Sequence, residues 1–220
     1  MKIFLDTADY KKIAELSSTG LIDGVTINPS LLKIEQEPPI KIVREILKVL
    51  PDAEINLQVT EQDPKKVYEQ AKHIANLADN MIVKIPCDKM YLPIIARLIQ
   101  EDIPVNATLV FTLNQALELA KLGVNYISVF VGRLYDNNVD GLSVAESIQN
   151  MLDTYDFDSE LLVASVRNAE HVEGSILFGA DAITLPVEVF NALSESPLTR
   201  AGLERFKQDW EGGPHAQLLE

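Results

Sequence analysis

One lysine interrupts an apolar run. The segment Met81-Ile82-Val83-Lys84-Ile85-Pro86 otherwise has the composition of a β-strand buried on both faces. An ammonium group placed there loses hydration, which disfavours its charged form and lowers its pKa. A lysine whose amine is neutral near pH 7 can attack a carbonyl carbon and form a Schiff base. A lysine at a strand end can also snorkel to water or pair with a carboxylate, so its surroundings decide the matter. Arg133 and Arg167 each follow a strand-like segment. Two forked guanidinium groups at neighbouring strand ends suit a phosphate. Asn168 can cap the helix after Arg167, whose N-terminus would add to that anion site. A single arginine would be read as a surface ion-pair partner. Two of them, beside a candidate Schiff-base lysine, point to phosphate.

Such groups need a scaffold. Apolar strand-like segments occur near residues 2–6, 23–27, 54–60, 80–86, 104–110, 125–131, 161–166 and 181–186. Helix-like segments alternate with them, near 8–18, 38–49, 65–78, 89–101, 113–122, 142–154, 168–178 and 187–194. Asp63-Pro64 supplies an N-cap followed by proline at the first helical position. Thr112 and Gln115 form a capping box, and Gly123 and Gly179 stand where helices should stop. Eight strands each followed by a helix predict an α/β fold, a single parallel (β/α)8 barrel spanning residues 1–220. A doubly wound open sheet is the main alternative, and no glycine-rich phosphate loop supports it. Residues 198–211, with Leu203, Phe206 and Trp210, predict one further amphipathic helix, ended by Gly212-Gly213-Pro214 and a short tail at 212–220.

Side chains alternate across a strand, so period 2 separates its faces. In Ile55-Asn56-Leu57-Gln58-Val59-Thr60 the aliphatic set would meet the helices, and Asn56, Gln58 and Thr60 would point into the barrel. Asn106 and Thr108 alternate in the same way with Val105, Ala107 and Leu109. Ser128 and Phe130 alternate with Ile127, Val129 and Val131. Ser165 and Arg167 alternate with Leu162, Ala164 and Val166. Asp6, Thr26, Asn28 and Thr184 also fall at or near strand ends. In a barrel these groups converge at the C-terminal mouth, where barrel active sites lie. A polar plug that specifies packing is the bland alternative, but it does not call for a lysine.

Composition excludes other classes. With 19 basic and 33 acidic residues the net charge is −14, which repels nucleic acid and anionic membrane. Cys87 is the sole cysteine, so no internal disulfide is possible, and His73, His171 and His215 do not have metal-ligand spacing. A metal site is not expected. The chain opens on a strand-like segment without a leader pattern and has no apolar run near 18 residues, which predicts a soluble, cytoplasmic protein.

Taken together, Phe4-Leu5-Asp6-Thr7-Ala8, Asp23-Gly24-Val25-Thr26-Ile27-Asn28-Pro29-Ser30-Leu31, Val83-Lys84-Ile85-Pro86, Asn106-Ala107-Thr108-Leu109-Val110-Phe111, Phe130-Val131-Gly132-Arg133 and Ala164-Ser165-Val166-Arg167-Asn168 resemble the small transaldolase family, which includes the fructose 6-phosphate aldolases. The resemblance runs from Asp6 to about Trp210. It implies a (β/α)8 barrel without metal or organic cofactor, with Lys84 as the Schiff-base lysine. It implies that Asp6 handles protons at the carbinol stage and at C–C cleavage. Thr26, Asn28, Asn106, Thr108 and Ser128 match positions that hold sugar hydroxyls or the catalytic water. Ser165, Arg167 and Arg133 match the phosphate site. Sugar phosphates would be the substrates, and a homo-oligomer, pentamer or decamer, is implied, with the C-terminal helix reaching a neighbour.

Two positions bear on the reaction type. Gln58 stands where transaldolases usually offer a glutamate that works with the catalytic water, and it agrees with the aldolases. An amide can hydrogen-bond water but cannot take its proton. Phe130 agrees with transaldolases where the aldolases carry a tyrosine, and Asn106 is also transaldolase-like. Ile27 and Val129 replace a usual threonine and proline without removing a catalytic group. The resulting expectation is a transaldolase moving a dihydroxyacetone unit, with fructose 6-phosphate aldolase as the alternative. A deoxyribose-phosphate-type aldolase or a non-catalytic sugar-phosphate-binding barrel are the rivals of other kinds.

Overall fold

In the computed structural model of this chain, which describes residues 1–211, eight parallel strands close into one barrel in sequence order. They are β1 (Lys2–Asp6), β2 (Gly24–Ile27), β3 (Glu54–Gln58), β4 (Met81–Pro86), β5 (Val105–Val110), β6 (Tyr126–Phe130), β7 (Glu160–Ala164) and β8 (Ala182–Leu185). Closure comes from β1 pairing β8, with Phe4 opposite Thr184. The predicted helices form as α1 (Tyr10–Ser17), α3 (Pro39–Val49), α4 (Pro64–Ala75), α5 (Leu92–Gln100), α6 (Leu113–Leu122), α8 (Gly141–Thr154), α9 (Ala169–Leu177) and α10 (Val187–Ala192). Two short helices were not anticipated, α2 (Pro29–Ile34) and α7 (Val131–Asp136). Both follow strands directly at the C-terminal mouth. The barrel belongs to a compact unit of Met1–Phe190, and a second unit, from Asn191, carries α11 (Pro197–Glu211). The expected glycine-proline break and tail lie outside the described residues.

Local chemistry explains the boundaries. The Asp63 carboxylate accepts from the Lys65 and Lys66 amides ahead of α4, and the Thr112–Gln115 capping box opens α6. Gly123 ends α6 with φ +79°, a left-handed turn that glycine adopts without steric cost. Helix stripes such as Ile42, Val43 and Ile46 on α3, or Val67, Tyr68, Ala71 and Ile74 on α4, are buried. They join the outward strand residues Ile55, Leu57, Val83 and Ile85 in one large core.

Inside the barrel a separate apolar layer forms from Phe4, Ile82, Tyr126, Leu162, Ala164 and Ala182, with Phe130 against it. Phe4 and Tyr126 meet edge to face at 5.7 Å. Nearer the N-terminal end, Lys2 pairs with Glu54 at 3.2 Å and Glu160 at 3.1 Å, and the Tyr126 hydroxyl donates to Glu54 at 2.6 Å.

Two alternation readings are corrected. On β7 it is Leu162 and Ala164 that join the inner layer, while Leu161 and Val163 join the outer core. Leu161–Ala164 is apolar on both faces, so it carries no polar mark of its phase. Ser165 then adopts φ +58°, and Val166 returns to the outer core. On β5 the pairing with β6 slips between Ala107 and Val110, and Leu109 has φ +60°. This bulge ends the simple alternation expected for Thr108 and Leu109. Val131, which the sequence places at the end of a strand, is the first residue of α7.

The inner apolar layer contributes to stability beside the larger core. Phe4→Ala, which empties a fully buried ring site, is expected to lower unfolding free energy by about 3–5 kcal/mol, measured as a drop in the urea midpoint.

Candidate active site

Lys84 lies between Gln58 and Asn106 in strand register, and only 2% of it is exposed. Its side chain enters a cavity of about 230 Å³ lined by Asp6, Asn28, Ser30, Leu31, Ile34, Phe130, Arg133, Ala164, Ser165 and Thr184. These residues come from the C-terminal ends of β1, β4, β6, β7 and β8 and from α2 and α7. Another cavity of about 230 Å³ opens beside the loops before β5 and β6, near Asp102, Pro104 and Asn125. It gathers no lysine or arginine, and we place no chemistry there.

Burial is the main force on the Lys84 ammonium and pushes its pKa below the ordinary lysine value. The Asp6 carboxylate opposes that fall, and the Arg133 guanidinium adds to it. Asp6 moves the other way. Burial raises its pKa, while Lys84 and a hydrogen bond from Thr26 hold it down. The Thr26 hydroxyl lies 2.9 Å from Asp6 Oδ1 and 2.7 Å from the Thr184 hydroxyl. A base with a lowered pKa thus shares a cavity with an acid whose pKa is raised. This is the pairing that acid–base chemistry near neutrality requires.

Phe130 forms a shared wall. Lys84 Nζ lies 5.9 Å from its ring centroid and the Arg133 guanidinium carbon 5.1 Å from it. Phe111 packs against the same ring at 6.1 Å.

A second polar group runs beside Lys84. Ser128 donates to Asn106 Oδ1 at 2.6 Å, and Asn106 Nδ2 donates to Asn56 Oδ1 at 2.8 Å. All three side chains are fully buried. Asn56 Nδ2 and Thr108 Oγ1 are buried without a hydrogen-bond partner among the described residues. Buried polar atoms of this kind are positions where water or a substrate hydroxyl can be held.

Of the residues singled out from sequence, Asp6, Asn28, Lys84, Phe130, Arg133 and Ser165 line one cavity. Thr26, Asn106 and Ser128 stand in hydrogen-bonded contact with that wall or beside it. Asn28 commits its oxygen to capping α2, accepting from Ser30 and Leu31, and leaves its amide nitrogen to offer. Gln58 is outside the lining of the Lys84 cavity and borders two others, of about 310 and 540 Å³. Arg167 also lies outside that lining. It makes a bidentate pair with Asp136, with Nη1 to Oδ1 at 2.7 Å. Asn168 caps α9 as expected, accepting from the His171 amide. Asn56 and Thr184 were marked by alternation or strand position but given no role, and the hydrogen bonds supply one. Among the described residues no three His, Cys, Asp or Glu side chains gather to hold a metal ion, and no helix is long and apolar enough to cross a membrane.

Residues 3–213 match the model of the Transaldolase/Fructose-6-phosphate aldolase family. The chain belongs to this family. A probable transaldolase of Chelativorans sp. (strain BNC1) is 42% identical over 210 residues, covering 96% of each chain. One of Aquifex aeolicus (strain VF5) is 42% identical over 214 residues, covering 97% of this chain and 98% of the relative. A mandelate oxidase variant matches in fold alone, with a TM-score of 0.61 and 16% identity over 91% of this chain and 69% of the other. Family membership makes the protein a transaldolase-type aldolase enzyme.

The buried amine has a measurable cost. Between its lowered folded pKa and the unfolded value of 10.5, the unfolded chain binds the extra proton, so native stability rises with pH. Asp6, without the Lys84 charge to hold it down, titrates higher still, and that rise offsets part of the gain from removing the buried amine. Lys84→Met should therefore be more stable than the native chain near pH 7, with the gap closing as pH approaches 10.5. Urea midpoints across pH 7–10 check this, and a gap that widens with pH would contradict the assigned direction.

Proposed function

We propose that the protein is a transaldolase that transfers a dihydroxyacetone unit between sugar phosphates through a Schiff base on Lys84. One observation carries this reading. A fully buried amine with a lowered pKa shares a polar cavity with Asp6 at the mouth of a barrel of this family. The neutral Lys84 Nζ attacks C2 of a ketose phosphate such as fructose 6-phosphate or sedoheptulose 7-phosphate. The carbinolamine loses water, with Asp6 in its acid form donating the proton to the departing hydroxyl. The resulting iminium draws electrons. Asp6, now a carboxylate, takes the C4 hydroxyl proton, the C3–C4 bond breaks, and its electron pair enters the iminium to give an enamine. An aldose phosphate leaves. The enamine attacks the carbonyl of a second aldose phosphate, and the steps reverse to release the new ketose.

The other side chains have supporting roles. Arg133, Ser165 and Arg167 hold the phosphate. Thr26, Asn28, Asn106 and Ser128 hold sugar hydroxyls, and Thr108 holds the catalytic water. Phe130 supplies a hydroxyl-free wall, as in transaldolases, and the relatives named probable transaldolase favour the same side. Gln58 favours the alternative, fructose 6-phosphate aldolase, in which water rather than a second aldose ends the cycle and free dihydroxyacetone is released. We further propose a cytoplasmic homo-oligomer, pentamer or decamer, built through the apolar residues Leu203, Phe206 and Trp210 of α11. Light scattering of the purified protein gives the subunit count.

Incubation with fructose 6-phosphate, with and without erythrose 4-phosphate, tests the reaction. Glyceraldehyde 3-phosphate and sedoheptulose 7-phosphate forming together, and only with the acceptor, is the expected result. Free dihydroxyacetone without an acceptor would identify the aldolase instead. Borohydride should trap a substrate adduct on Lys84, and Lys84→Met should lower kcat by at least about 10³-fold, since it removes the nucleophile itself. A Lys84→Met variant with full turnover would sink the mechanism. Gln58→Glu is expected to raise the transfer rate by about tenfold or more by restoring a carboxylate that can take a proton from water.

A further inference from the structure

Arg167 is assigned to phosphate, yet its only charged partner among the described residues is a carboxylate. Its Nη1 donates to Asp136 Oδ1 at 2.7 Å, and its Nη2 pairs with Asp136 Oδ2. Most exposed ion pairs contribute little, but a bidentate arginine–carboxylate pair fixes orientation as well as distance. Asp136 is the last residue of α7, the same short helix that carries Arg133 one turn earlier. Arg133 makes no such pair among the described residues and lies over Phe130 instead. The carboxylate is therefore directed at one of the two candidate phosphate ligands.

The geometry beside it shows what this pairing leaves free. A guanidinium has five N–H groups, and the pair uses one from each terminal nitrogen. The Nε–H edge is not engaged by Asp136. A Cβ added at Gly132 would lie 2.8 Å from Arg167 Nε and 2.9 Å from Ser165 Oγ, with the Ser165 carbonyl oxygen closer still. Gly132 thus lets the Ser165–Arg167 segment lie directly on α7. There the Arg167 Nε and the Ser165 hydroxyl, which lines the Lys84 cavity, border the same spot. The left-handed backbone of Ser165 turns the chain toward this position.

We propose that Asp136 is a positioning residue for phosphate recognition, anchoring the terminal edge of Arg167 so that its Nε–H edge stays beside Ser165 Oγ at the rim of the cavity. This rests on the sugar-phosphate reading above. Half of each side chain in the pair is exposed. An arginine so placed has many rotamers available, and the anchor removes that freedom before the anion arrives. The opposite effect is also physical. Asp136 carries a negative charge near an anion site, and if it mainly competed with phosphate, its removal would tighten binding. The two readings predict opposite signs.

Calorimetric titration with inorganic phosphate separates them without requiring turnover. The native chain, Asp136→Ala, Asp136→Asn and Arg167→Met would be compared. Asp136→Asn keeps the size but puts an amide where a second acceptor oxygen was, and it serves if the alanine variant folds poorly. Both Asp136 variants are expected to weaken phosphate binding by about tenfold, and Arg167→Met by at least as much. In turnover, KM for fructose 6-phosphate should rise by a similar factor with kcat nearly unchanged, while KM for unphosphorylated fructose stays constant. Unchanged or tighter phosphate binding in the Asp136 variants, with Arg167→Met weakened, would overturn the proposal alone. Equal losses with phosphorylated and unphosphorylated sugar would also overturn it, since a structural defect acts on both. Native-like phosphate binding by Arg167→Met, or none by the native chain, would remove the phosphate reading of the arginine and the proposal with it.

Discussion

A primary amine buried inside a barrel sets the terms for everything around it. Lys84 is cut off from bulk water where it stands, so its charge is costly unless balanced nearby. The layer below it is apolar, with Phe4, Ile82, Tyr126, Leu162 and Ala182 closing the barrel against water from the N-terminal side. Above it Asp6 supplies the opposing carboxylate, and Phe130 offers a ring face rather than a solvating hydroxyl. The same burial that lowers Lys84 raises Asp6. One physical cause, desolvation, thus moves in opposite directions the pKa values of two side chains that would be a plain ion pair in water.

The rest of the mouth is built from interruptions of regular structure. Asn28 ends β2 and caps α2, Phe130 leads straight into α7, and Ser165 leaves β7 in a left-handed conformation. Leu109, also left-handed, marks the bulge that follows Thr108 on β5. Unfavourable backbone of this kind persists only where the surrounding structure enforces it, and Leu109 and Ser165 are the two such residues that sit at the C-terminal ends of β5 and β7. The regular part of the barrel supplies rigidity, and the irregular ends aim the side chains. Gly132 belongs to the same design, because any side chain there would push Ser165 and Arg167 off α7.

The floor of the barrel has its own logic. Lys2, Glu54 and Glu160 form a partly exposed charged set around the Tyr126 hydroxyl. Tyr126 thereby joins two layers, its ring in the apolar layer and its hydroxyl in the charged one. The polar side chains of the barrel interior are thus divided by an apolar partition, and only the upper set shares space with Lys84.

Much of this was open to reading in one dimension. Strand–helix alternation specified eight β/α units, because a chain that repeatedly switches between periods has few ways to bury every apolar face. The polar marks at Asn56, Asn106, Thr108 and Ser128 specified the inner face, since a polar residue every second position can point only one way in a barrel. Lys84 declared itself by its apolar neighbours. Where a strand is apolar on both faces the phase leaves no trace, which is why Leu162 and Ala164 were set facing outward. Short helices such as α2 and α7 are too brief to show a period, so the sequence does not separate Val131 from the strand before it. Which arginine faces the cavity and which is held by Asp136 depends on residues 31 positions apart meeting across the mouth. Sequence periodicity determined the barrel and its chemical inventory because it records which face each side chain needs. Only tertiary structure decided who touches whom, because closure of the barrel brings together strand ends that the chain itself keeps far apart.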